Sequence, residues 1–247
     1  MSTRYSPKIV TSGLVLSLDA ANKLSYTGTG TTWYDTSGNN NNFTLYNTPT
    51  FNSSGYFILN GTNQYFRSTN TLNLGSYNAV SVCLFFKPLT YPVSGGVKSL
   101  YELSSNFNAV QYGFIHSYND TSLAQNYEIF TSVNGNVGYN IGVWNKTNYS
   151  DLKWKNSVGI YDKSQTSTET LLYVNGTTAA VLQNPAVGYS NNNTNNFGDD
   201  YFYIGARGGV SLFSDIHLSV VLIYNRTLTA TEVLQNYNAN KTRFGLI

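Results

Sequence analysis

Charge is scarce in this sequence. Only 11% of its 247 residues are Asp, Glu, Lys or Arg, against about a quarter in an ordinary globular domain. With a formal charge of +2 and no basic run longer than Lys153-Trp154-Lys155, the chain lacks the footprint that a nucleic-acid backbone requires. Cysteine is reduced to Cys83, so no internal disulfide can form. Its place within AVSVCLFF is that of a small buried hydrophobe. No window reaches the roughly 20 apolar residues of a membrane-crossing helix, and MSTRYSPKIVTSG has no apolar stretch of the secretory type. The expectation is a chain that engages neither nucleic acid nor membrane.

Polarity comes instead from Asn, Ser, Thr, Gly and Tyr, which make a neutral surface of amides and hydroxyls. At this length a good core can be buried, and all-β sandwiches run to roughly 200–250 residues as one domain. Period-two alternation recurs along the chain: GLVLSLD sets Leu14, Leu16 and Leu18 on one side, and GYFILNG, AVSVCLFFKPL, VKSLYELSS, TLLYVNG, DYFYIGAR and IHLSVVLIY follow the same grammar. Many short strands at regular spacing imply a sandwich or barrel. Asn60-Gly61, Asn134-Gly135 and Asn175-Gly176 fall between apolar runs, where type I′ turns are expected. The one helix signal is LTATEVLQNYNANK, with Thr229 as N-cap, Glu232 completing a capping box, and Val233, Leu234 and Tyr237 on one face.

The segments SPKIVTSGLVLSLDAANKLSY, GTTWYDTSGNNNN, PTF, YFILNGTNQYF, YVNGTTAA, YIGAR and LIYNRTLTATEVLQNYNANKTRFGL together resemble the concanavalin A-like lectin/glucanase superfamily. Within it they are most similar to the laminin G-like domains of phage virion proteins. The resemblance covers residues 6 to 246. It implies an all-β jelly roll of two antiparallel sheets with one short C-terminal helix and with the first and last strands adjacent. It also implies a non-enzymatic place on the virion surface, as a capsid decoration or as a fibre or tail adhesin. Capsid, fibre or tail proteins, further copies of the chain and cell-surface glycans are then the expected partners. The superfamily also holds carbohydrate-active enzymes, glycosidases and lyases, which form the alternative.

Glycosidases use two carboxyl groups about 5 to 9.5 Å apart, and the glucanases of this superfamily carry theirs on one strand as Glu-x-Asp-x-x-Glu. Nothing here matches. Glu102, Glu128, Glu169 and Glu232 each stand alone, Asp199 and Asp200 point to opposite faces if on a strand, and His116 and His217 lie singly in strands. No catalytic residue is assigned, although Tyr and His chemistry of the lyase kind stays open.

Three groups of binding residues are singled out. In WYDTSGNNNN, Asp35 and Asn39 offer the hard oxygens that calcium prefers. The competing reading is a chain of local turns made by Asp35 and Ser37, with left-handed geometry at Gly38-Asn39 and Trp33 packed beneath. For glycans, Tyr139, Trp144 and Tyr149 in GYNIGVWNKTNYSD, and Tyr189 and Phe197 around the loop SNNNTNNFGDD, combine stacking rings with amides. Residues 1–12 read as an arm preceding a domain of residues 13–247. The arm is expected to lie along a neighbouring subunit through Tyr5 and Ile9, or else to cover an edge of its own sandwich.

Overall fold

Period-two patterning becomes strand wherever it is sustained. The computed structural model describes residues 8–90, 96–104, 112–121, 126–134, 140–145, 152–165, 169–178, 181–183 and 195–247. Its first strands are β1 (Leu14–Asp19), β2 (Thr32–Trp33), β3 (Phe43–Tyr46), β4 (Thr50–Asn52), β5 (Tyr56–Ile58), β6 (Tyr65–Ser68), β7 (Ala79–Pro88), β8 (Val97–Leu103) and β9 (Phe114–Thr121). There follow β10 (Asn126–Asn134), β11 (Asn140–Asn145), β12 (Lys155–Asp162), β13 (Thr170–Val174), β14 (Thr177–Thr178), β15 (Val181–Gln183), β16 (Phe202–Ile204) and β17 (Ile216–Tyr224). Helix α1 (Ala230–Asn240) and a 3₁₀ turn at Lys241–Phe244 come last.

One sheet has the order β14-β13-β12-β7-β17-β5-β4 with β1 added beside β17, and the other runs β15-β11-β10-β9-β8-β16-β6-β3-β2. The pairings between described strands are antiparallel. One edge of β17 is shared, with His217 and Leu218 against β5 and Val220 to Tyr224 against β1. The first and last strands therefore meet, and the fold is the two-sheet jelly roll that the sequence implies.

A single strand can serve two cores, and β7 does. Val80, Val82, Leu84 and Phe86 face the core between the sheets, while Cys83 and Phe85 face a second core that includes Val233 and Tyr237 of α1. A strand buried on both sides reads as a continuous apolar run. In β17 a register shift between Leu218 and Val220 changes the parity, so that Ile216 and Leu218 before it and Val221 and Ile223 after it all reach the inter-sheet core. The same device corrects β1. A bulge between Leu14 and Leu16 sends Leu14 to the second core and leaves Leu16 and Leu18 in the first, because one extra residue inverts every later side chain.

Turn chemistry holds at Asn175-Gly176, where both φ angles are positive (51° and 75°) and Val174 pairs with Thr177. Asn60-Gly61 differs. Only Gly61 is left-handed, and Asn60 Oδ1 instead accepts the N–H groups of Thr62 and Asn63 in a crossing between opposite sheets. Gly135 lies outside the described residues.

The capping box of α1 is present: Glu232 N–H donates to Thr229 Oγ1 (3.3 Å) and Thr229 N–H donates to Glu232 Oε2 (2.9 Å). Its buried face is Val233, Asn236 and Tyr237, whereas Leu234 is 43% exposed. The expected face is thus corrected by Asn236 in place of Leu234, because a polar partner waits there. Asn236 Oδ1 accepts the N–H of Val10 at 2.8 Å, and the Tyr224 hydroxyl donates to the Val10 carbonyl at 3.0 Å. Gln235 and Arg226 likewise donate to the carbonyls of Lys8 and Ser12. Val10 is buried and Ile9 packs on the second core. Residues 8–12 therefore pack on their own molecule without forming a strand, with Ile9 half-buried there. Tyr5 lies outside the described residues.

Candidate functional site

The turn after Trp33 is held from inside. Trp33 is fully buried against Phe57 and Phe66, with ring centroids 4.9 and 5.2 Å away. Asp35 Oδ1 accepts the N–H groups of Ser17 (2.9 Å) and Ser37 (2.8 Å), while Oδ2 accepts the Ser37 hydroxyl (2.8 Å) and the Asn41 N–H (3.0 Å). Its carboxylate thus ties the loop to β1. The left-handed positions are Gly38 and Asn40, not Asn39. Asn39 and Asn41 both donate their side-chain amides to carbonyls of β1: Asn39 to Leu14 and Val15 (3.2 and 3.4 Å) and Asn41 to Val15 (2.8 Å). Their Oδ1 atoms accept no hydrogen bond among the described residues. Among the same residues, no group of three or more His, Cys, Asp or Glu side chains is placed to hold a metal ion.

Facing this turn is the loop 72–77, and the polar stretch ending at Asp200 holds it in place. Leu72 N–H donates to the Asp200 carbonyl (2.9 Å), Gly75 N–H to Asp199 Oδ1 (2.6 Å), and Phe197 N–H to the Tyr77 carbonyl (2.8 Å). Phe197 is 2% exposed, with its ring edge-on to Phe114 at 5.4 Å and Lys163 Nζ 5.4 Å from its centroid. It offers no face to a sugar. The expectation for Phe197 is therefore corrected: an aromatic beside a polar loop has turned into the core and anchors that loop. Tyr139, Tyr149 and Tyr189 lie outside the described residues, and Trp144 falls on β11, paired with Phe130 and Leu182.

Between the two loops is a cleft of about 220 Å³ lined by Val15, Asn39, Asn41, Asn73, Leu74 and Tyr77, with Leu72 behind. No charged side chain lines it. Asn73 is exposed, and neither it nor the Tyr77 hydroxyl is held by a hydrogen bond among the described residues. The cleft offers amide acceptors, amide donors and a hydroxyl beside an apolar floor. That arrangement suits an uncharged ligand with a polar rim and a C–H face. Asn39 was singled out in the sequence for its amide oxygen as a calcium ligand, not as part of this cleft. Asn41, Asn73 and Tyr77 were not singled out, since nothing local distinguishes them from the many other Asn and Tyr residues.

Among the described residues, the acids named here are committed elsewhere. Glu102 is fully buried with Ser104 and Arg207 (3.0 and 3.5 Å). Glu169 is buried beside Lys163, whose amine burial lowers to about 8 against the raising effect of Glu169. Arg226 takes both oxygens of Glu232. Asp200 accepts the Tyr112 hydroxyl (3.0 Å), and Asp215 accepts that of Tyr118 (3.1 Å). His116 is sealed between the sheets, 2.8 Å from Ser157 Oγ and stacked on Tyr101, and burial holds it down to about 3. His217 stacks on Tyr56 with centroids 4.4 Å apart, a geometry in which their protons lie in the ring planes and do not point at each other.

A family model described as the concanavalin A-like lectin/glucanases superfamily matches residues 59–234. A search of curated proteins gives no significant match. Among solved structures, the receptor binding domain of botulinum neurotoxin D is similar at 14% identity and a TM-score of 0.65, over 93% of this chain and 53% of that one. The binding domain of botulinum neurotoxin DC is similar in its complex with rat synaptotagmin II (13% identity, TM-score 0.62, 93% and 52% of the two chains). It is similar also in its complex with SialylT (13%, 0.61, 93% and 52%). The chain spans about half the length of these structures, and at such identities the likeness is one of fold. With a family match across most of its length and the jelly roll in place, the chain belongs to the concanavalin A-like lectin/glucanase superfamily.

Proposed function

We propose that this domain is a non-catalytic binding module whose rim cleft takes one uncharged sugar unit of a glycan. The cleft between Asn39, Asn41, Asn73 and Tyr77 carries this reading. At about 220 Å³ it is smaller than the roughly 300–1,000 Å³ of drug-sized pockets. That size suits one ring better than a long polysaccharide. Val15 and the Tyr77 ring, both only partly buried, supply apolar surface for a C–H face, and the amides match hydroxyls as donors and acceptors at once. The solved neighbours named for receptor binding support the same class of role. The place of display is proposed from the sequence resemblance alone: the surface of a virus particle, held by capsid, fibre or tail proteins.

Nuclear magnetic resonance titration with neutral mono- and disaccharides tests the cleft. Asn73→Ala, at an exposed position, should weaken binding at least tenfold with little change in melting temperature, and Tyr77→Ala should weaken it as much while lowering the melting temperature, because the ring packs partly on the inter-sheet core. Absence of any sugar response, or a response that both variants leave intact, would sink the reading. Release of reducing sugar from a polysaccharide panel by the wild-type protein would favour the enzymatic alternative.

A further inference from the structure

The outer face of the nine-stranded sheet carries an organised aromatic and cationic cluster whose residues do not line the rim cleft. Arg67 on β6 has Thr44 of β3 on one side in register and Tyr203 of β16 on the other. Tyr46 and Tyr65, the next pair along, stack with centroids 4.6 Å apart and planes 3° from parallel. The Arg67 guanidinium lies 5.1 Å from the centroid of Tyr46 and 4.4 Å from that of Tyr201. Phe66 and Phe202, of opposite parity, face the inter-sheet core, so Tyr65, Arg67 and Tyr203 belong to the outward face.

Two features set this cluster apart from ordinary surface packing. Arg67 is a permanent cation, and no carboxylate forms an ion pair with it among the described residues. The nearest acid in its row, Glu102, is two strands away, roughly 10 Å at the usual strand spacing, and faces Arg207. Arg67 Nε is buried and makes no hydrogen bond, as is also true of buried side-chain atoms of Trp33, Ser99, His116 and Ser117 in the same sheet, while the guanidinium also interacts with the Tyr203 hydroxyl. Tyr46, Tyr65, Arg67 and Tyr201 are only half-buried, so part of this face is open to solvent. Asp200 contributes some negative field at Tyr203, but its oxygens already accept the Tyr112 hydroxyl and the Tyr201 N–H.

We propose that the Tyr46–Tyr65–Arg67–Tyr201 face is a second site, selective for a sugar ring that carries an anionic group. A fixed guanidinium fork matches a planar carboxylate or a sulfate. The tyrosine rings hold the fork in orientation through cation–π contact and provide a stacking surface for the ring that bears the anion. The neutral cleft at the rim has no cation to do this, so the two sites differ in chemistry. This proposal goes beyond the cleft and does not depend on it.

The test uses the full chain, titrated with trigalacturonate, a sulfated galactose trisaccharide and neutral galactotriose, followed by amide chemical shifts. The acidic sugars should shift residues of β3, β6 and β16 and leave residues 39–41 and 73–77 unmoved. Comparison of the carboxylated and sulfated ligands identifies which anion is preferred. Arg67→Gln should lower acidic-sugar affinity at least tenfold and leave any binding at the rim cleft unchanged, whereas Asn73→Ala should do the reverse. If Arg67→Gln does not fold, Tyr201→Ser serves in its place, with a loss of at least threefold expected. Shifts confined to other surfaces, equal affinity for galactotriose, or binding indifferent to both variants would overturn the proposal.

Discussion

Glu232 combines three duties in one side chain, and its ionisation reports on all of them. Its carboxylate accepts from both terminal nitrogens of Arg226 (2.6 and 2.9 Å) and from the backbone and hydroxyl of Thr229. The Arg226 hydrogen bonds lead in holding it at about 2, below its ordinary 4.5, against an opposing desolvation effect. A depressed carboxyl pKa contributes stability that is complete above the unfolded value and lost as pH falls through the folded one. That contribution therefore disappears between about pH 4.5 and about pH 2. Glu232→Gln should cost about 1–2 kcal/mol at pH 7, a figure discounted for its partial exposure. The two proteins should converge in urea midpoint near pH 2. A constant difference across that range would mean that the charge of Glu232 contributes nothing.

Asp35 poses the same question for a metal. With four donors on its two oxygens, the carboxylate acts as a brace between the Trp33 turn and β1. A ligand that bound only the folded protein would raise the melting temperature with its concentration. Millimolar calcium should leave that temperature where it is. Asp35→Ala should lower stability by about 1–3 kcal/mol, since four part-buried donors lose their acceptor. A calcium-dependent rise abolished by the same substitution would instead place a metal there.

At the scale of elements, the second core decides how α1 is held. The helix contributes Val233 and Tyr237, and its polar Asn236 is satisfied by Val10 and Tyr224. Residues 8–12 thus bridge helix and sheet. Removing residues 1–12 exposes apolar surface around Val10 and leaves the Asn236 and Tyr224 groups without their partner. The expected cost is about 2–4 kcal/mol, measured as a lower denaturant midpoint. An unchanged midpoint would return the segment to the role of a free anchor for a neighbouring subunit.

At the scale of the molecule, the sandwich keeps chemically different surfaces apart. The rim gathers neutral amides over an apolar floor, the outer face of one sheet carries Arg67 among tyrosines, and the outer face of the other is covered in part by α1. Among the described residues, Glu102, Glu169, Glu232, Asp35, Asp199 and both histidines are absorbed into ion pairs, a cap, loop braces and stacked rings.

The sequence by itself determined the all-β class, the long strands, the Asn175-Gly176 hairpin and the capped helix, because each is encoded by neighbours: the apolar run of β7, positive φ at an Asn-Gly pair, a Thr three residues before a Glu. It also placed Trp33 beneath its turn and Asp35 within it. Strands β2, β3, β4 and β6, of two to four residues, are too short to show a period, and only their partners make them strands. Bulges in β1 and β17 likewise leave no local mark, although each inverts a face. Tertiary structure alone decided that Phe197 points inward, that Val10 finds Asn236 226 positions away, that Asn41 and Asn73 share a cleft, and that Arg67 sits between Tyr46 and Tyr201. The physical reason is common to all four. In a chain this rich in Asn and Tyr, residue type says what a side chain can bond, but only the pairing of distant strands says which partner it meets and which face is left open to solvent.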